Sequence, residues 1–299
     1  MVKFEHQSVM PDAVLDLLVT DQTGVYVDAT LGAGGHAALM LKTYPKIKVI
    51  GIDQDSQALE YAKGQLAFYG ARCRVAKGNF RYLEALLRSM GVTGVQGVLF
   101  DLGVSSPQLD QRDRGFSYQY EDAPLDMRMD TDNPISAFRL VNQKPERELA
   151  EAIRTFGEER WAARIAEFIV KARQQEPIRT SGQLVQVIRA AVPQAARRGG
   201  GHPARRTFQA LRIWVNDELG ALSDGLDEGW KMLTPNGRMA VLSFHSLEDR
   251  IVKKRFREWG DTDRARLMTK HPRTADEAEV KANPRARSAK LRIAEKIGH

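Results

Sequence analysis

Short apolar runs alternate with amphipathic stretches through the first third of this chain. Residues 25–27, 48–53, 72–76 and 95–102 read as strands, because each is brief, rich in aliphatic residues and bounded by glycine or charged residues. Between them, residues 36–44, 56–68 and 80–90 read as helices. The second opens on Ser56 as a capping residue and carries Leu59, Ala62 and Leu66 on one face. Such alternation predicts α/β organisation, with a mostly parallel sheet covered by helices on both faces.

From Pro107 the pattern changes, and the next hundred residues hold helical periodicity without a convincing strand. Trp161, Ile165, Phe168 and Ile169 fall at i, i+4, i+7 and i+8, and Leu184, Val187 and Ile188 repeat the spacing on a shorter helix. Leu211, Val215, Leu219, Leu222, Leu226, Trp230 and Leu233 then form a continuous stripe, which predicts one long helix ended by Pro235, Asn236 and Gly237. Residues 238–246 read as a buried strand and 247–259 as a basic helix. The charged stretch to about residue 282 reads as poorly ordered. The alternation of Ala289, Leu291 and Ile293 predicts a last strand at the sheet edge. The domain reading is a core of residues 1–107 and 207–299, with an all-helical domain, 108–206, inserted between its halves.

Composition narrows the partners. The 299 residues carry 45 Lys and Arg against 38 Asp and Glu, a net charge of +7 that favours a polyanion. The single cysteine, Cys73, excludes an intrachain disulfide and leaves no thiolate cluster for zinc, which suits a reducing cytosol. Neither a leader peptide nor a membrane-spanning apolar run is evident, so a cytoplasmic protein with no membrane partner is expected.

Candidate chemistry begins where the first strand meets Gly32, Gly34 and Gly35. Glycines at the carboxyl end of a parallel strand let the backbone approach a ligand closely, and Asp53, ending the next strand, puts a carboxylate where it would accept hydrogen bonds from ribose hydroxyls. The glycine spacing departs from the dinucleotide fingerprint, which argues against a nicotinamide oxidoreductase. Acidic Asp28 close before the loop suits a cationic ligand better, and S-adenosylmethionine is one. A turn without ligand is the plainer alternative. The second constellation is Asp101-Leu-Gly-Val-Ser-Ser-Pro-Gln108, at the end of the fourth strand. An exocyclic base amine is a poor nucleophile because its lone pair is delocalised into the ring. Asp101, Ser105 and Ser106 could accept its hydrogens and orient it. The competing reading is an Asp-Gly turn with serines capping a helix.

The chain resembles the RsmH (MraW) family through Gly32-Ala-Gly-Gly-His36, the block from Asp101 to Asp110, Arg114-Gly-Phe-Ser117, Pro124-Leu-Asp-Met-Arg-Met-Asp130, Gly157-Glu-Glu-Arg160, Arg206-Thr-Phe-Gln-Ala-Leu-Arg-Ile213, Ser243-Phe-His-Ser-Leu-Glu-Asp-Arg250 and Asn283-Pro-Arg-Ala-Arg287. The resemblance covers nearly the whole chain. It implies a Rossmann-like class I methyltransferase core and S-adenosylmethionine-dependent methylation of a cytidine N4 in the decoding region of 16S ribosomal RNA, within the small subunit. It also implies cofactor contacts at Gly34, Gly35, His36, Asp53, Phe80, Asp101 and Gln108, requires no metal and leaves the oligomeric state open. One departure is Ala13, where the family's opening block carries a glutamate. His245 reads as a contact to the target base or as a structural histidine. Arg197, Arg198, Arg205 and Arg206, with His202 and three glycines, read as a mobile phosphate-binding loop or as solvated surface. Against the enzyme stands a non-catalytic ribosome-assembly factor that retains the cofactor fold.

Overall fold

A computed structural model describes residues 8–197 and 201–298. Along the chain run α1 (Pro11–Leu18), β1 (Val25–Asp28), α2 (Gly35–Thr43), β2 (Lys48–Asp53), α3 (Ser56–Leu66), β3 (Cys73–Lys77), α4 (Leu83–Ser89) and β4 (Val95–Asp101). Six helices follow: α5 (Ser106–Asp110), α6 (Ala137–Gln143), α7 (Glu146–Gly157), α8 (Ala162–Gln175), α9 (Ser181–Ala191) and α10 (Arg205–Asn216). The chain closes with α11 (Glu218–Met232), β5 (Leu233–Ser243), α12 (Ser246–Asp261), β6 (Ala265–Leu267), α13 (Glu277–Ala282) and β7 (Lys290–Lys296). The described residues divide into two compact units, 8–105 with 219–298 and 106–197 with 201–218.

The first unit is a seven-stranded Rossmann-like sheet in the order β3-β2-β1-β4-β5-β7-β6, parallel from β3 to β5, with β7 antiparallel to both of its neighbours. Alternate side chains enter opposite cores, as the period of a strand dictates. Tyr26, Val49, Leu99 and Leu242 join Val14, Leu18, Met40 and Leu59 on one face. Val27, Ile50, Val98, Phe100 and Val241 join Leu87, Leu226, Trp230 and Phe256 on the other, where the Trp230 and Trp259 rings stack at 4.1 Å. Burial on both faces explains why these strands read as unbroken apolar runs.

In the second unit α7 packs against α8 and α10, and α8 against α9. Gly157 permits the α7–α10 approach: a Cβ there would lie 2.6 Å from the carbonyl oxygen of Arg206. Pro124 and Thr180 form an isolated antiparallel bridge, and Arg114 lies buried with its guanidinium donating to the carbonyls of Arg128 and Met129.

Four sequence expectations need correction. The stripe from Leu211 to Leu233 is two helices, because Asp217 turns left-handed at φ 45° between α10 and α11. The two compact units part in sequence after residue 218. The cap of α3 is Asp55, whose carboxylate accepts from the N–H groups of Gln57 and Ala58, and not Ser56. The last strand, β7, is interior; the edge belongs to β6, inside the stretch read as poorly ordered. That stretch is held by backbone bonds exchanged between Arg273 and Leu291 and by Glu279 Oε1, which accepts from the N–H of Met10 at 2.5 Å.

Candidate active site at the carboxyl edge of the sheet

The strand order places the loops after β1 and β4 side by side, at the point where the sheet reverses direction of winding; such a switch point opens a crevice. Asp28 pairs with Leu99, so Asp101 lies two residues beyond the end of β1. The loop after β1 is tied to both neighbours: Ala29 N–H donates to the Leu99 carbonyl and Leu31 N–H to that of Ile52. Gly32 and Gly34 take φ of 50° and 85°, the left-handed region that favours glycine. A Cβ on Gly34 would also approach Leu66 Cδ1 to 3.1 Å. Gly35 begins α2, and His36 follows in its first turn.

Three carboxylates converge here. Asp53 Oδ2 accepts from Gly32 N–H at 2.7 Å and Oδ1 from Asp55 N–H at 2.9 Å, and burial pushes this carboxyl up to about 6 against those donors. Asp28 is buried, and desolvation pushes it up to about 7 despite the His36 imidazole. Asp101 takes its backbone position from Thr30, whose Oγ1 accepts its N–H at 2.6 Å. His36 Nε2 stands 3.3 Å from Asp101 Oδ2. Burial opposes charge on that ring, yet Asp101, with Asp28 and Glu279, carries it above the ordinary histidine range. Ser105 closes the group, its Cβ 3.5 Å from where a Cβ on Gly32 would lie.

At the ends of β2 and β3, Asn79 Nδ2 donates to Gln54 Oε1 at 2.9 Å, and Gly78 N–H donates to the Asp53 carbonyl. Phe80 packs edge-to-face on Phe100, with centroids 5.5 Å apart. Glycines without side chains, a carboxylate at ribose reach and a half-buried aromatic ring beside polar amides suit an adenosyl group, and the acidic set suits a positive charge near it.

The remaining predicted site residues are placed differently. Gln108 is buried on α5 in the helical unit, which also holds Ser106, whose side chain lies outside the described residues. Arg205 and Arg206 are exposed at the start of α10, and Arg206 Nη1 donates to the Glu158 carbonyl at 3.1 Å, closing the end of α7. The side chain of Arg197 and all of Arg198 lie outside the described residues. His202, read as part of a mobile loop, is stacked on Tyr118 at 4.4 Å. His245 caps α12: its Nδ1 accepts from Glu248 N–H at 3.4 Å while Glu248 Oε2 accepts from His245 N–H, so its ring serves the helix start. Ala13 packs half-buried against the core from α1, with no carboxylate in its place. Among the described residues, no helix is long and apolar enough to cross a membrane.

The family model described as the MraW methylase family matches residues 3–297. The chain belongs to that family. Similar proteins include three named ribosomal RNA small subunit methyltransferase H. One, from Heliobacterium modesticaldum, is 50% identical over 98% of this chain and 99% of its own; one from Geobacter sulfurreducens is 52% identical over the same shares. A third, from Symbiobacterium thermophilum, is 50% identical over 98% of this chain and 97% of its own. In this methylase, sequence reasoning missed Thr30, Gln54 and Asn79. Each follows a strand end by one or two residues, and that position is the only local signal they carry.

Proposed function

We propose that the chain transfers a methyl group from S-adenosylmethionine to the N4 amine of a cytidine in the decoding region of 16S ribosomal RNA, within the small ribosomal subunit and in the cytoplasm. Family membership and the names of the relatives support a ribosomal RNA methyltransferase. The observation that carries the chemistry is Asp101, held at the crevice by Thr30 and paired with His36 beside the glycine loop.

Gly34 and Gly35 let the backbone lie against the amino-acid end of the cofactor, Asp53 accepts from its ribose hydroxyls, and Phe80 flanks its adenine. S-adenosylmethionine, when bound, supplies a methyl group on an electrophilic sulfonium. Gln108 is carried over from the family resemblance as a further contact. The target cytidine leaves its stack, since its amine is otherwise shielded by neighbouring bases. Asp101, Ser105 and Ser106 accept the amine hydrogens and turn the nitrogen toward the methyl. The N–C bond forms as the C–S bond breaks, and the nitrogen then sheds one proton to Asp101 or to water. Arg197, Arg198, Arg205 and Arg206 contact phosphates, and His245 assists from the start of α12.

Incubation with labelled S-adenosylmethionine and either naked 16S ribosomal RNA or small subunits tests the reading. Label in RNA is expected, and stronger with subunits. Tight cofactor binding without incorporation into either would leave an assembly factor instead.

A further inference from the structure

Phe68 is 93% exposed, more than any other large apolar side chain among the described residues. It stands on the 3-10 turn Ala67–Arg72, which joins α3 to β3. That turn is tied to the end of α2: Tyr69 Oη donates to the Ala38 carbonyl at 3.1 Å, and Arg72 Nη1 to the Leu41 carbonyl at 3.1 Å. The Arg72 guanidinium lies 5.3 Å from the centre of the Tyr69 ring, and Phe68 meets that ring edge-on at 5.8 Å. One exposed ring is ordinary on a protein surface, and its surroundings decide what it means. Residues 42–48 carry Lys42, Lys46 and Lys48, residues 61–74 carry Lys63, Arg72 and Arg74, and neither stretch holds a carboxylate. All four lysines are exposed. Glu60 is engaged by Lys63 at 2.6 Å, and Asp21, on the turn before β1, by Thr23.

Lys48 and Cys73 begin β2 and β3, so this patch sits at the amino ends of the strands, and the crevice at their carboxyl ends. The six residues of β2 set the two roughly 17 Å apart. A nucleotide held in the crevice does not span that distance, whereas another segment of one long folded RNA does. A second copy of this chain is a poor occupant, because a two-fold contact would set the lysines against their own images. Unpaired RNA fits the patch: its bases stack on aromatic rings and its phosphates draw lysines.

Resting on the ribosomal RNA reading above, we propose that Phe68 and its lysines form a second docking surface for 16S RNA, remote from the methylated base. An unpaired base stacks on the Phe68 ring, and the phosphates flanking it lie against Lys42, Lys46 and Lys63. The surface holds the substrate and takes no part in the chemistry, so its loss should appear in RNA affinity and not in turnover.

The experiment compares the full chain with Phe68→Tyr, Phe68→Ala and the double variant Lys42→Ala, Lys46→Ala. It measures Kd for protein-free 16S RNA and for small subunits over a salt series, methylation of subunits, calorimetric cofactor Kd and sedimentation, with circular dichroism to confirm the fold. Phe68→Ala should bind both RNA substrates roughly five- to 100-fold more weakly, and Phe68→Tyr should stay within about twofold of the parent. The lysine pair should lower the log–log salt slope by about one to two units. Cofactor Kd and kcat at saturating subunits should hold within about twofold in every variant. Parental RNA affinity in Phe68→Ala, or an equal loss in Phe68→Tyr, would overturn the proposal. So would a loss seen with subunits and absent with protein-free RNA, which would make a ribosomal protein the occupant. A change of oligomeric state at parental RNA affinity would overturn it too, giving the surface to a second copy. A parent chain that binds subunits and transfers no label would sink the methyl-transfer reading alone and leave this one standing.

Discussion

Replacing Asp53 with asparagine should separate binding from stability, because in the ligand-free fold the carboxylate costs about as much as it contributes. Burial lifts its pKa from 3.8 to about 6. At about 1.36 kcal/mol per unit, and discounted for the group's partial exposure, ionisation at pH 8 costs on the order of 2 kcal/mol. The sign follows from the raised value. The cost is absent below pH 3.8, where folded and unfolded chains are both protonated, grows as pH rises and is complete above about 6. Asparagine removes it. Yet its amide can accept from only one of the two N–H groups, Gly32 or Asp55, that the carboxylate now satisfies, and the one left over costs about 1–3 kcal/mol. The two effects nearly cancel, so the melting temperature at pH 8 should move by no more than about 4 °C. The bond to a ribose hydroxyl is not compensated, and S-adenosylmethionine affinity should fall by about 1.5–3 kcal/mol, roughly 10- to 150-fold. Calorimetry for Kd and differential scanning for melting check both halves. An unchanged Kd with a melting temperature lowered by about 10 °C would show that Asp53 serves only to brace the glycine loop.

Ser105→Ala and Ser106→Ala should each lower kcat more than they weaken cofactor binding, since their proposed partner is the base; parental turnover in both would mean that something else orients the amine. Asp28, with its carboxyl near 7, gains its charge between pH 6 and 8, so affinity for the cationic cofactor should strengthen several-fold over that interval and the Asp28→Asn profile should be markedly shallower. A pH series by calorimetry that is flat for the parent chain would contradict this. Replacing Arg197, Arg198 and Arg205 together with alanine should weaken RNA binding and lower its log–log salt slope by about one unit for each arginine–phosphate pair removed, leaving cofactor affinity intact; parallel lines of equal affinity would make the cluster plain surface.

What could be read in the chain depended on how local its cause was. β2 was legible to the residue because burial on both faces demands an apolar run, and Asp53 ends that run. The break at Asp217 was hidden, since the apolar stripe continues in phase across it and a single left-handed aspartate leaves only a faint trace in sequence. The place of β7 was equally hidden: alternation fixes which side chains face the core and not which strands lie alongside. Composition misled on the stretch before α13, whose charged residues owe their order to pairing with β7 and to Glu279. The site divides in the same way. Its glycines and aspartates stand at predictable strand ends, whereas the contact of His36 with Asp101 joins residues far apart in the chain and is created only when β1 and β4 lie side by side. Arg206 and His245 show the converse. Both are proposed RNA contacts, and both also hold helix ends in the fold, a role that residue type alone does not announce.

The central claim is that Asp101 directs a methyl group onto a cytidine amine. Small subunits would be methylated by the parent chain and by Asp101→Ala, the RNA digested to nucleosides, and the products separated by mass spectrometry, with cofactor Kd and circular dichroism measured on the same samples. The account predicts N4-methylcytidine from a 16S fragment of the decoding region with the parent chain, and its loss with Asp101→Ala while the fold persists. Methylation at another atom, or undiminished product from the variant, would contradict it.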